Sequence, residues 1–397
     1  MTTTSVPFGQ TTSNIAVQHQ AKRRLASIDA LRGLVIVIML IDHIRDIFFN
    51  HLNISDPVDA LTTEPEQFIL RLLSSLCAPV FVLLTGISAY LYGLNHNKQQ
   101  VAHFLFKRGL LLILLEITLI SIAWTGSVPP SKLYLQVIWV IGLSMVIMAG
   151  LIYLPSPAQW LVVIAGITGH NLLDAIVLTP DHGMHTLWAI LHQRDWLQIT
   201  DTLSARTSYP LLPWPSVMLL GYLLGGWFKP EVIPSDRQTR LIKLGLALLA
   251  AFAMIRALNV YGDAPWFTGE HASITIMSFL ALTKYPPSLL FIAFTLGVGL
   301  IVLACLERWQ DRRILQPLVD FGSAPMFFYI LHLYCIGISY LLCIRIFGRN
   351  YGNQYGFEHL WQLWMMFFAL IFPLYFATRW FGRLKQRRRD IRWLKYF

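Results

Sequence analysis

Charge is what this chain has least of. Only 13% of its 397 residues are Asp, Glu, Lys or Arg, against about 25% in a soluble domain. So little charge does not cover a water-facing surface of this size, which excludes soluble enzymes and disordered or collagen-like chains. Cysteine is sparse too. Cys77, Cys305, Cys335 and Cys343 all lie in apolar runs without metal-type spacing, so they read as buried thiols and not as a disulfide framework. The chain has no Gly-x-Ser-x-Gly elbow, P-loop, Gly-x-Gly-x-x-Gly or His-Glu-x-x-His. It also lacks an internal repeat of the transporter kind. No small-residue cleavage site follows the first apolar run, so no cleavable signal peptide is expected.

Apolar residues are abundant, at 55% of the chain, and mean hydropathy is +0.55. An all-α polytopic membrane helix bundle is the class that remains. Ten segments carry the ~20 mostly apolar residues of a transmembrane helix: 28–50, 68–93, 104–124, 133–153, 158–178, 209–228, 241–261, 286–306, 318–346 and 359–381. The ninth is long enough to tilt or break.

Charge placement supports that count. The net charge of +10 comes from 31 Lys and Arg against 21 Asp and Glu. With the N-terminus inside, 21 of the basic residues fall in cytoplasmic segments, 5 in outer loops and 5 within spans. This is the positive-inside pattern, and it places both termini in the cytoplasm. It also explains the basic balance without nucleic acid. The expected organisation is a disordered tail over 1–24, a membrane domain over 25–383 and a basic tail over 384–397. Two long outer loops, 179–208 and 262–285, are lid or binding elements, or plain caps.

Ionisable groups inside a span are costly and mark function. The first span carries Asp29, Arg32, Asp42, His43, Arg45 and Asp46, with Asn50 and His51 at its outer end. On an ideal helix Arg32 and His43 differ by ~20° in direction and lie ~16 Å apart along the axis. One face therefore runs from a charged inner end to imidazoles in the outer half. Arg45 alone reads best as snorkelling outward, and Arg71, Arg256 and Arg345 near outer span ends read the same way. Glu116 lies eight residues beyond Arg108 on roughly the same face, His170 and Asp174 are i,i+4 neighbours, and His332 sits mid-span. Together these groups imply a polar cavity within the bundle. His182, His185 and His192 are spaced too loosely on an outer loop to read as a metal site, and no metal is expected.

Arg24-Leu-Ala-Ser-Ile-Asp-Ala-Leu-Arg-Gly-Leu34 and Ile38-Met-Leu-Ile-Asp-His43 resemble the opening of the heparan-alpha-glucosaminide N-acetyltransferase catalytic family, and more closely its bacterial members. Ala78-Pro-Val-Phe-Val-Leu-Leu-Thr-Gly86, Phe106-Lys-Arg-Gly109, Leu212-Pro-Trp-Pro-Ser-Val-Met-Leu-Leu-Gly-Tyr222, Lys284-Tyr-Pro-Pro-Ser-Leu-Leu-Phe291 and Phe327-Phe-Tyr-Ile-Leu-His332 extend the resemblance over roughly residues 24 to 380. It implies a multi-pass acyltransferase of the bacterial inner membrane. Such proteins take an acetyl or other short acyl group, commonly from acetyl-CoA, to an amine or hydroxyl of a sugar across the membrane. The eukaryotic enzyme uses a histidine at the non-cytoplasmic end of its first span, which His51 matches with a short gap. Where that enzyme has Asn on the same helix, this chain has His43.

The expected catalytic set is therefore His43 as general base, with Asp42 or Asp46 fixing its tautomer, and His51 as the alternative base or acyl carrier. Arg32, Lys107 and Arg108 at the inner end would hold the CoA phosphates, with Asp29, Glu116 and His332 grouped with them as cofactor-side residues. Trp214, Lys284 and Arg45 would meet the acceptor. The partners are then the bilayer and a small-molecule or glycan acceptor, and a homodimer stays an open option. A transporter or flippase for a polar or lipid-linked solute is the main rival, and a non-catalytic membrane partner the third reading.

Overall fold

The computed structural model describes residues 10–388, 390, 391 and 394, with side chains from Ala26 onward. It is 69% helix and 4% strand. In chain order the helices are α1 (Gln10–Phe48), α2 (Pro65–Ser74), α3 (Cys77–Gly93), α4 (Lys98–Leu115), α5 (Ser121–Thr125), α6 (Val137–Leu151), α7 (Ser156–Gly169) and α8 (His185–Leu191). They continue as α9 (Trp214–Leu224), α10 (Pro234–Leu258), α11 (Ala272–Leu280), α12 (Leu289–Arg308), α13 (Gln316–Gly322), α14 (Pro325–Phe347) and α15 (Leu360–Arg387). Residues 1–9 of the expected N-terminal tail lie outside the described residues. At the other end α15 runs through Arg387, into the expected basic tail.

Each of the ten apolar segments contains a helix. Five stretches are long and apolar enough to cross a membrane: Pro65–Gly93, Pro234–Leu258, Leu289–Arg308, Pro325–Phe347 and Leu360–Arg387. The protein is thus a multi-pass membrane protein. Helix α1 has the length but carries Asp42, Arg45 and Asp46 within one such stretch. Helices α6, α7 and α9 have 15, 14 and 11 residues, short of the ~20 of a full span. The long ninth segment is interrupted at Ser323 and Ala324, between α13 and α14. Pro325 opens α14, where its missing N–H costs nothing.

Helix α1 runs through the middle of the bundle, against α3, α12, α13, α14 and α15. Its apolar face, Ile28, Leu31, Val35, Ile36, Leu40, Ile44 and Phe48, is buried. Two glycines allow the closest approach. A Cβ on Gly33 would lie 1.8 Å from the Leu318 carbonyl oxygen, and one on Gly322 equally close to that of Asp29. Small residues at a helix crossing let backbones pack closely in a membrane, where dispersion replaces the hydrophobic drive. Helices α4 and α5 form one rod with a π turn at Glu116–Ile120 between them. A capping box between Asn97 and Gln100 starts that rod.

The expected all-α chain also has a small sheet. Strands β1 (Lys132–Tyr134), β2 (Trp196–Thr200) and β3 (Leu203–Arg206) lie in the order β1-β3-β2, with β1 parallel and β2 antiparallel to β3. It closes over Leu135, Ala189, Leu197 and Ala205. Two other expectations change. Cys77 is buried, but Cys305 is exposed. Arg256 does not snorkel: it is 2% exposed and donates to the carbonyls of Ala264, Ser278, Phe279 and Ala281.

Candidate active site

Two cavities lie along α1, here called outer, at its C-terminal end, and inner, along the stretch from Ile28 to Met39. The outer one, about 710 Å³, is lined by Asp42, His43, Arg45, Asp46, Asp56, Arg71, Trp124, Arg194, Arg206, Lys284 and Tyr285, among others. The inner one, about 570 Å³, is lined by Asp29, Arg32, Ser88, Tyr92, Arg108, Tyr329 and Lys385, among others. Met39, Phe81 and Val137 line both. The cavities therefore share an apolar wall, with His43 on its outer side and Tyr329 on its inner side.

The line of charge on α1 sorts between them. Asp29 and Arg32 pair at 2.8 Å, and Arg32 also donates to the Ser88 hydroxyl. One turn and a half beyond the shared wall, Arg45 bridges two acids, Asp42 at 2.9 Å and Asp46 at 2.5 Å. Arg45 is 4% exposed, so it points into the bundle and does not snorkel. Arg71 likewise turns inward, between Asp42 at 4.0 Å and Asp56 at 3.8 Å.

Both aspartates expected to steer His43 are thus engaged by Arg45. The partner of His43 is His332 of α14. The His43 Nδ1 and His332 Nε2 atoms are 2.7 Å apart. The rings are nearly parallel, at 7°, with centroids 5.0 Å apart. Centroids so much farther apart than the facing nitrogens mean that the rings meet edge to edge. His332 Nδ1 lies 2.9 Å from the Phe328 carbonyl oxygen. Trp124 and Tyr329 both set their rings nearly perpendicular to His43, at 5.2 and 6.0 Å. The Trp124 indole N–H and the Tyr329 hydroxyl are buried beside His43 and interact with each other. The π turn before α5 positions Trp124 here, and Glu116 anchors that turn by accepting the Trp139 N–H at the start of α6.

Loops complete the outer rim. The Asp56 carboxylate accepts the backbone N–H groups of Lys284 and Tyr285 at 3.2 and 2.9 Å. Ser288 caps α12, accepting from the Phe291 N–H and donating to Asp263, which fixes the end of that loop. Tyr285 sits among cations: Arg194, Lys284 and Arg71 lie 4.5, 5.2 and 5.7 Å from its ring centre. Burial pushes the Asp56 carboxyl up, while Arg71, Lys284 and Arg194 draw it back down.

Of the residues singled out in the sequence, Asp42, His43, Arg45, Asp46 and Lys284 line the outer cavity, and Asp29, Arg32 and Arg108 the inner one. Five others line neither. Lys107 is exposed, Glu116 caps α6, and His332 is sealed behind His43. Trp214 is fully buried at the start of α9, beside Tyr209. His51 stacks on Tyr351 at 3.8 Å. The outer-loop histidines do not converge either. His185 bonds Asp195 and His192 bonds Asp174, while His170 bonds the Ile167 and Pro287 carbonyls. Among the described residues no group of three or more His, Cys, Asp or Glu is placed to hold a metal. Sequence reasoning missed Tyr329, Trp124 and Lys385. The first two sit on helices as ordinary aromatics, and Lys385 reads as one more basic residue after the last span.

No curated protein matches the chain. A family profile described as heparan-alpha-glucosaminide N-acetyltransferase, catalytic, matches residues 24–263, which takes in the charged line of α1, the wall residues Met39, Phe81 and Val137 and the small sheet, and stops short of Lys284, Tyr329, His332 and Lys385. The chain belongs to that family of membrane acetyltransferases.

Proposed function

We propose that this protein moves an acetyl group from acetyl-CoA in the inner cavity to an amine or hydroxyl of a sugar in the outer cavity, with His43 as general base. The observation that carries this reading is the placement of His43 at the wall the two cavities share, on the side open to an acceptor. The inner cavity suits the donor. Arg32, Arg108 and Lys385 line it against a single acid, Asp29, and Arg108 Nε is buried without a partner. Phosphates favour such a set of cations. Its apolar side, including Leu91, Leu112, Ile138 and Ile141, suits a pantetheine arm whose thioester reaches Met39, Phe81 and Val137.

The reaction itself needs little. The acceptor lone pair attacks the thioester carbonyl carbon, His43 takes the acceptor proton, and the C–S bond breaks to release the CoA thiolate, which recovers that proton. A base placed in this way contributes about 10²–10⁴-fold. The Tyr329 hydroxyl, backed by the Trp124 N–H beside His43, is a donor of the kind a tetrahedral oxyanion uses. We place the protein as a ten-span protein with both termini cytoplasmic, in a bacterial inner membrane, on the strength of the 21-to-5 charge asymmetry of its loops.

Two cavities facing across a thin wall also suit a transporter. Detergent-purified protein decides between the readings. Acetyl-CoA should bind in a calorimetric titration, and Arg108→Ala should weaken it. A charge-assisted contact of about 1.5–3 kcal/mol corresponds to about 10–100-fold in Kd. Uptake of a sugar into liposomes with no acetyl-CoA binding would overturn the acetyltransferase reading.

A further inference from the structure

The His43–His332 contact fixes where the proton sits on each ring. A carbonyl oxygen only accepts, so the 2.9 Å contact with Phe328 requires His332 Nδ1 to carry a hydrogen. In a neutral imidazole the other nitrogen is then bare, and His332 Nε2 is an acceptor. The 2.7 Å contact to His43 Nδ1 therefore requires the hydrogen on Nδ1 of His43. That leaves His43 Nε2 with its lone pair. Nε2 has no hydrogen-bond partner among the described residues, and it is not among the buried orphan atoms, so it opens on the cavity that His43 lines.

We propose that His332 is a positioning residue: through the Phe328 carbonyl it holds His43 in the Nδ1–H tautomer and so makes Nε2 the basic atom of the site. The inference rests on the reading of His43 as general base, and it replaces Asp42 and Asp46 as the groups that set the tautomer. In the reaction the acceptor proton moves to His43 Nε2 as the acceptor lone pair forms its bond to the thioester carbon. His43 Nδ1–H stays bonded to neutral His332 throughout. When the C–S bond breaks, the electron pair leaves with sulfur and the proton on Nε2 follows it. His332 touches neither donor nor acceptor, since it is fully buried and lines neither cavity. The arrangement has the logic of a triad, in which a third group orients the base, but with a neutral ring and a main-chain carbonyl in that place.

The test is nitrogen NMR of the full-length protein labelled with ¹⁵N-histidine, with His43 assigned by its loss in His43→Ala. Wild-type His43 should be protonated at Nδ1 and bare at Nε2. His332→Gln keeps an acceptor and should keep that tautomer. His332→Leu removes it and should move a substantial share of the proton to Nε2. A wild-type His43 that carries its hydrogen on Nε2, or a tautomer unchanged in His332→Leu, would overturn the proposal. Turnover of acetyl-CoA with glucosamine separates it from the base reading. Loss of kcat at constant KM in His332→Leu, with recovery in His332→Gln, is expected. Wild-type kcat in His332→Leu with an inactive His43→Ala would sink the positioning role alone, and an active His43→Ala would sink the base.

Discussion

At the level of single residues, the site depends on which nitrogen of His43 faces which partner. His43 and His51 lie eight positions apart, and only His43 lines the cavity. His43→Ala should lose about 10²–10⁴-fold in kcat, while His51→Ala should stay within a few-fold of wild type, both read as CoA thiol release. Tyr329→Phe removes one buried hydroxyl with little change in volume. Loss of an oxyanion donor costs about 10²–10³-fold in kcat, while thermal stability should fall by no more than one neutral hydrogen bond to Trp124, about 0.5–1.5 kcal/mol. Arg45 is the opposite case. It is buried and joined to Asp42 and Asp46, so Arg45→Ala leaves the buried Asp42 with only the more distant Arg71, at 4.0 Å. Breaking a buried pair from one side costs about 3–5 kcal/mol, and a large drop in Tm in detergent is the expected result.

At the scale of elements, close packing of α1 sets the geometry of the site. Its crossing with α13 depends on Gly33 and Gly322, where an added Cβ would meet backbone oxygens. A backbone carbonyl does not yield as a side chain would, so Gly33→Ala must push the helices apart, at about 1–3 kcal/mol for overpacking. Gly150→Ala in α6, with open space around it, should be neutral or slightly stabilising, since alanine favours helix by up to about 1 kcal/mol. Paired thermal melts of the two variants check the contrast. Much of this level is legible in the sequence. Each apolar run contains a helix because a helix satisfies its own backbone in an apolar environment, and the ninth run breaks where Pro325 opens a new helix. The strands were not legible. Lys132–Tyr134 and Leu203–Arg206 have three and four residues, too few to show an alternating pattern, and they pair across about seventy residues.

At the scale of the whole molecule, two cavities share one apolar wall, and charge of different character lines each. Asp42, His43, Arg32 and Lys284 could be picked out because an ionisable residue in an apolar protein stands out. Their partners could not. Asp42 and Asp46 flank His43 in sequence yet bond Arg45, while the ring that meets His43 comes from 289 residues away. Lys107 and Arg108 are neighbours, but helical geometry turns only Arg108 into the cavity. Local sequence shows which residues are expensive to bury, and only the packed bundle decides which of them compensate one another.

The central claim is that donor and acceptor meet at His43 from opposite sides of the membrane. The direct measurement uses sealed proteoliposomes of known protein orientation, with glucosamine enclosed and acetyl-CoA added outside. Acetylglucosamine should form inside only where the Arg32, Arg108 and Lys385 end faces the added acetyl-CoA, and His43→Ala vesicles should form none. Product that appears only when both compounds share one compartment would contradict the account.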